Sequence, residues 1–198
     1  MRKLLMVAAF GVYSLLRLPL YAQQIDAAFG VSTLVAPSSS SASGDHAAQT
    51  ISGGAYPGFS GDFLLRHAFG VGGELYWRAS QSIYQGFQPF RPILWDFNGV
   101  WAPPLGRSAA AELEGGIGAQ SVRFYNSDFL CGFAGCTNYT SSNHFMGHFG
   151  GGIRFYVHGN LFVRPEAHVY LVHNNIEFSS SHEERFGVSI GYSLNRER

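Results

Sequence analysis

The 198-residue chain is long enough for one sizeable domain, and its thirteen basic side chains equal its thirteen acidic ones. Arg2, Lys3 and Arg17 fall in the first 22 residues, so the remainder carries ten arginines and no lysine against thirteen acids, a net charge near −3 with His neutral. Nothing in that balance suggests a polyanion-binding surface, and nucleic acid is not an expected partner. Charged residues make up only 13% of a chain with 25 glycines and 15% aromatics, a composition that suits a large apolar exterior.

In chain order, Arg2 and Lys3 precede an apolar run from Leu4 to Leu16, and Pro19-Leu20-Tyr21-Ala22 ends on a small residue. This has the three parts of an export signal, with cleavage expected after Ala22 and residues 23–198 left as one domain. The run is shorter than the roughly 20 residues a spanning helix needs, and no later apolar run approaches that length. Strand one begins at Ile25, with Ile25, Ala27, Phe29, Val31 and Val35 alternating with Asp26, Ala28, Gly30 and Ser32. Residues 37–54 form a polar loop of mostly Ser, Ala and Gly. Strand two covers about Ala55 to Arg66. Strand three runs from Val71 toward Ser82, and a connection around Tyr84 to Phe90 leads to strand four, Ile93 to Trp101.

The proline-rich turn at Pro103 to Arg107 precedes strand five, about Ala109 to Phe124. A long loop, Asn126 to Asn143, contains both cysteines. In an exported chain Cys131 and Cys136 are expected to pair as a disulfide that fixes local loop shape. Strands six and seven, Phe145 to Leu171, are joined across His158-Gly159-Asn160 and show the clearest alternation. A loop from His173 to Glu184 then leads to strand eight, Phe186 to Leu194.

Eight strands with connections alternating long and short predict an all-β fold: an eight-stranded antiparallel up-and-down transmembrane barrel with short periplasmic turns and longer extracellular loops. A secreted soluble barrel or sandwich fits the alternation but gives no reason for loops at one end to be longer. By parity the lumen receives Asp26, Asp62, Glu74, Asp96, Glu112, Glu114 and Glu166 together with Arg66, Arg78, Arg154 and Arg164, which are expected to form an ion-pair network. Charge complementarity predicts Arg154 opposite Glu166 and Tyr156 opposite Arg164. Trp77, Trp95, Trp101, Tyr84, Tyr125 and Tyr170 are candidates for interfacial girdles.

In the last strand Arg185-Phe186-Gly187-Val188-Ser189-Ile190-Gly191-Tyr192 resembles the terminal-strand signal read by the outer-membrane assembly machinery. With the alternation over the whole mature part, the chain resembles the small eight-stranded outer-membrane β-barrels of the OmpA/OmpX type. The resemblance implies outer-membrane localisation, outer-membrane lipid and the assembly machinery as partners, and Arg185, Gly187, Ile190 and Tyr192 as the assembly signal. The expected role is structural or surface-interacting, in a monomer with no cofactor, no metal, no catalysis and an unknown extracellular ligand. Alternatives are a narrow pore, a lipid-modifying enzyme of the lipid A deacylase or acyltransferase kind, and a secreted binding protein. His144, His148, His168, His173 and His182 lie in the outer half or its loops with Ser141, Ser142 and Ser179 to Ser181 nearby in sequence, but no fixed Ser-His spacing marks a catalytic set.

Overall fold

The computed structural model describes residues 24–36, 50–65, 68–132, 135–175, 177–178 and 180–196. The expected export signal and the lumen candidate Arg66 lie outside the described residues. Among the described residues nine strands form one antiparallel sheet: β1 (Gln24–Val35), β2 (Tyr56–Leu64), β3 (Phe69–Trp77), β4 (Ser82–Tyr84), β5 (Gln88–Trp101), β6 (Ala109–Gly132), β7 (Gly135–His158), β8 (Leu161–Val172) and β9 (His182–Leu194). The order is β3-β2-β1-β9-β8-β7-β6-β5-β4, and pairing of β3 with β5 closes the ring. Because β3 and the short β4 pair with successive stretches of β5, Trp77 with Ile93 and then Ser82 with Phe90, they act as one broken stave. The barrel therefore has eight staves and no free edge, which satisfies the backbone without water.

Period-two alternation decides which way each side chain faces. Phe29, Phe59, Val71, Phe97, Ile117, Phe149, Val188 and Ile190 project outward and are exposed, whereas Asp26, Asp62, Glu112, Arg154, Arg164 and Glu166 are buried inside. This inverts the soluble pattern, as a wall facing lipid requires. No helix among the described residues is long and apolar enough to cross a membrane, so strands would have to do so.

Three features differ from the sequence reading. Tyr84 to Phe90 is mostly not a loop: β4 and β5 continue to a tight turn at Gln85–Phe87, with Tyr84 opposite Gln88. The stretch from Asn126 to Asn143 is also not a loop. β6 and β7 run on as a two-stranded arm, paired from Tyr125–Tyr139 through a register shift to Leu130–Thr137, Cys131–Cys136 and Gly132–Gly135. Strand-favouring Thr and Tyr residues supply the local preference, and Gly135 takes the positive φ (119°) of the tip. Tyr170, a girdle candidate, is fully buried in the lumen, as its even position on β8 requires. On the exterior, Trp101 stacks on Phe69 with ring centroids 5.8 Å apart, near the short-turn rim.

The β7–β8 register also departs from expectation. Gly152 faces Glu166 and Phe155 faces Val163, and Tyr156 faces Phe162 instead of Arg164, so the common register sets Arg154 against Arg164. A bulge lies between Tyr156 and His158, just before the Gly159–Asn160 turn, and shifts the pairing by one residue there. The ladder is interrupted at Ile153–Arg154, opposite Pro165, which has no N–H to give. Gly152 lets β8 approach there: a Cβ on it would lie 2.6 Å from the Pro165 carbonyl oxygen and 2.9 Å from Arg164 Cγ.

Candidate functional site

The lumen is layered. At the short-turn end Leu64, Val100 and Ala102 form a small apolar cluster, above a mouth cavity of about 1040 Å³ bordered by Gln24, Arg154, Tyr156 and Arg196. Arg196 stacks on Tyr156, 3.3 Å from its ring centre, and donates to the Arg107 carbonyl at 2.6 Å.

The next layer is held by three buried arginines. Arg154 donates to Asp26, Asp62 and Glu112. Arg164 donates to Glu112, to Glu166 at 2.8 Å and to Ser60 at 2.8 Å. Arg185 donates to Glu74 at 2.5 Å, Glu166 at 3.0 Å and the Tyr170 hydroxyl at 2.7 Å, with its guanidinium 3.6 Å from the Tyr76 ring centre. Glu112 thus accepts from both opposed arginines, one on each oxygen, which is what allows Arg154 and Arg164 to face one another. Asp26 and Asp62 reach Arg154, and Ser60 reaches Arg164, from β1 and β2, strands that do not pair with β7 or β8.

Asp96 and Glu114 join this set less directly. Asn98 donates to Asp96 at 2.6 Å and to Glu114 at 3.3 Å, and its oxygen lies 2.9 Å from His148 Nδ1. Arg78 is inward but outside the network: at the outer end of β3 it lies against Gly54, makes no ion pair among the described residues, and leaves Nε and Nη1 without hydrogen-bond partners. Arg185, by contrast, was expected only as part of an assembly signal. Its parity with Ser189 places it inside, a signal lost when the strand is begun at Phe186. Gly187 faces Ser32 across β1, while Ile190 and Tyr192 are exposed on the wall.

Above the charged layers the mouth is filled. Leu34, Ile51, Tyr56, Tyr76, Phe90, Leu94, Val122, Met146, Tyr170, Val172 and Phe178 form one buried apolar cluster. Phe178, from the β8–β9 connection, packs between Phe90 and Phe124, with ring centroids at 5.0 and 6.5 Å. Of the outer histidines, His173 and His182 are exposed. His144 meets Ser142 and Glu177: Ser142 Oγ is 3.0 Å from His144 Nε2, and Glu177 accepts from Ser142 at 2.5 Å and lies 3.1 Å from that same Nε2. In a hydrolase relay the carboxylate holds the opposite ring nitrogen, so here it competes with the serine instead of orienting the base. Cys131 and Cys136 are joined by a disulfide at the arm tip.

No family model and no curated protein sequence matches the chain. Solved structures do. Ail, the attachment invasion locus protein of Yersinia pestis, in complex with the heparin analogue sucrose octasulfate, superposes with a TM-score of 0.59 at 9% identity, over 87% of this chain and 99% of that one. The N-terminal β-barrel domain of Pseudomonas aeruginosa OprF gives 0.55 at 12% identity, over 87% and 99%. Neisserial surface protein A gives 0.55 at 8% identity, over 88% and 97%. By its closed ring of eight staves, its inverted faces and these superpositions, the chain has the fold of the small eight-stranded outer-membrane β-barrels of the OmpA/OmpX type.

Proposed function

We propose that the protein is an integral outer-membrane barrel with a closed lumen, acting at the outer surface through its β6–β7 arm as a structural or interaction element. The observation that carries this reading is the contrast between the two ends of the longest hairpin. Inside the barrel its residues are locked in ion pairs and the apolar plug, while the arm beyond Tyr125 and Tyr139 stands exposed and is closed by a disulfide. An exposed element on a rigid scaffold is where binding resides. The filled lumen speaks against a pore, and the carboxylate on the wrong ring nitrogen speaks against hydrolysis at Ser142.

The arm also limits the partner's chemistry. Residues 125–143 contain one charged side chain, Asp128, among Ser, Thr, Asn, Tyr and Phe residues. Contacts there would rest on hydrogen bonds and aromatic surface, with Phe129 70% exposed, so the polyanion seen on Ail is not carried over. Tyr125 pairs with Tyr139, so Asn126–Asn138 can be replaced by Asn-Gly, the preferred two-residue hairpin turn. Vesicles bearing the wild-type chain are expected to bind one or more members of a panel of neutral glycans, proteins and whole cells. Vesicles bearing the shortened chain should lose that binding while keeping the folded barrel. Unchanged binding after shortening, or none by the wild type, would sink the proposal.

A further inference from the structure

Two histidines with no surface role stand face to face in the middle of the lumen. His148 Nε2 on β7 and His168 Nδ1 on β8 are 2.8 Å apart, and with a Glu74 carboxylate oxygen from β3 they make a set of donor atoms within 4.8 Å of one another. All three residues are buried. The geometry points to a binding site for one divalent transition-metal ion of the zinc type, held by His148, His168 and Glu74, with Glu114 as the fourth donor.

The tautomer of His148 is fixed by its neighbours. The Asn98 amide nitrogen faces Asp96 and Glu114, so its oxygen faces His148 Nδ1, which must carry the proton. Nε2 is then the lone-pair nitrogen, aimed into the cluster by an outer-shell hydrogen bond of the kind that orients metal-bound imidazoles. Carboxylate oxygens converge on the same nitrogen: Glu114 Oε1, buried with no hydrogen-bond partner among the described residues, and Glu74 Oε2, which also accepts from Arg185, each lie 3.8 Å from His168 Nδ1. Space is provided by Gly150, where a Cβ would sit 2.2 Å from His168 Nδ1.

Charge gives an independent reason. Among the described residues below the apolar plug, seven buried carboxylates face three arginines, so four carboxylates have no arginine of their own there. Asp96 and Glu114 are the ones the arginines do not reach by hydrogen bond, and they flank this cluster. An ion of charge +2 placed there would offset carboxylates that no arginine among the described residues pairs by hydrogen bond. Two imidazoles with carboxylates suit zinc and its first-row neighbours, and not calcium or magnesium, which take oxygen ligands. Tetrahedral bonds of about 2.0–2.1 Å place ligand nitrogens about 3.3 Å apart. The histidine pair therefore needs to open by only a few tenths of an ångström. Once bound, the ion ties β3, β7 and β8 together.

The test uses the untagged full chain refolded from urea into detergent micelles with zinc or cobalt(II), with free metal removed by gel filtration. One ion per folded chain is expected by elemental mass spectrometry. Cobalt(II) should give the visible absorption of a four-coordinate site, and zinc should raise the temperature at which the folded gel band is lost. The double variant H148Q/H168Q should lose the ion, the absorption and the temperature shift, while the outer-rim variant H173Q/H182Q keeps all three. Should the double variant fail to fold, E114Q leaves every arginine hydrogen bond in place and should weaken cobalt(II) affinity by about tenfold or more. Metal-free wild type, stoichiometry unchanged in the folded double variant, or unchanged affinity in E114Q overturns the site.

Discussion

Glu112 is the residue on which the buried charge layout depends. Its two oxygens accept from Arg154 and Arg164, and no backbone ladder joins the strands where these arginines face one another. A buried ion pair adds little net stability over an apolar replacement, because desolvation of both charges offsets their attraction. Removing one partner is a different matter. Glu112→Gln leaves two opposed guanidinium groups without their shared counter-charge, and a loss of about 3–5 kcal/mol is expected from a broken buried pair. The urea midpoint of the refolded barrel should fall accordingly, and a midpoint equal to wild type would show that Asp26, Asp62 and Glu166 suffice without it. Which charges face inward was readable from alternation alone, since Asp26, Arg154 and Arg164 each follow strand parity. Their partners were not, because the lumen is three-dimensional: Arg154 reaches Asp26 and Asp62 on strands that are not its neighbours.

At the scale of elements, the eight staves and their turns were legible wherever apolar and polar residues alternate. The arm was not, because residues 126–143 show no apolar face to mark a strand. What continues the pairing is backbone hydrogen bonding from an already zipped hairpin, helped by the Cys131–Cys136 link and by Arg123 over the Tyr139 ring at 4.7 Å. The disulfide closes a small loop, so it constrains the arm and adds little to the barrel. The C131S/C136S pair should therefore be cut faster by protease within residues 126–143, with the urea midpoint of the barrel within about 0.5 kcal/mol of wild type. A large fall in barrel stability would refute this division between arm and wall. Gly152 belongs to the wall. Its missing Cβ lets β8 pack close at the ladder interruption, so Gly152→Ala should lower stability by about 1–3 kcal/mol through overpacking against Pro165 and Arg164. The same unfolding measurement reads the effect.

For the whole molecule, the question is whether a closed ring of this size transmits anything. Eight staves leave an interior that side chains can fill, and here they fill it twice. Three arginines and their carboxylates cross the lower half, and Phe90, Phe178, Leu34, Ile51 and Tyr56 close the upper half. Ions entering the mouth cavity at the short-turn end meet Arg154 as its inner wall. Passage would require breaking that layer and then dewetting the aromatic plug, and the two obstacles lie in series. The refolded chain should show the heat-dependent gel mobility of an intact barrel, yet add no steady conductance to a planar bilayer. Removing the plug alone, by Phe178→Gly with Phe90→Ala, should leave the bilayer silent, because the ion-pair layer still spans the lumen. Steady channels from the wild type would overturn the closed-lumen reading. Channels from the plug variant alone would place the whole barrier in the aromatic layer and leave the arginines as scaffold.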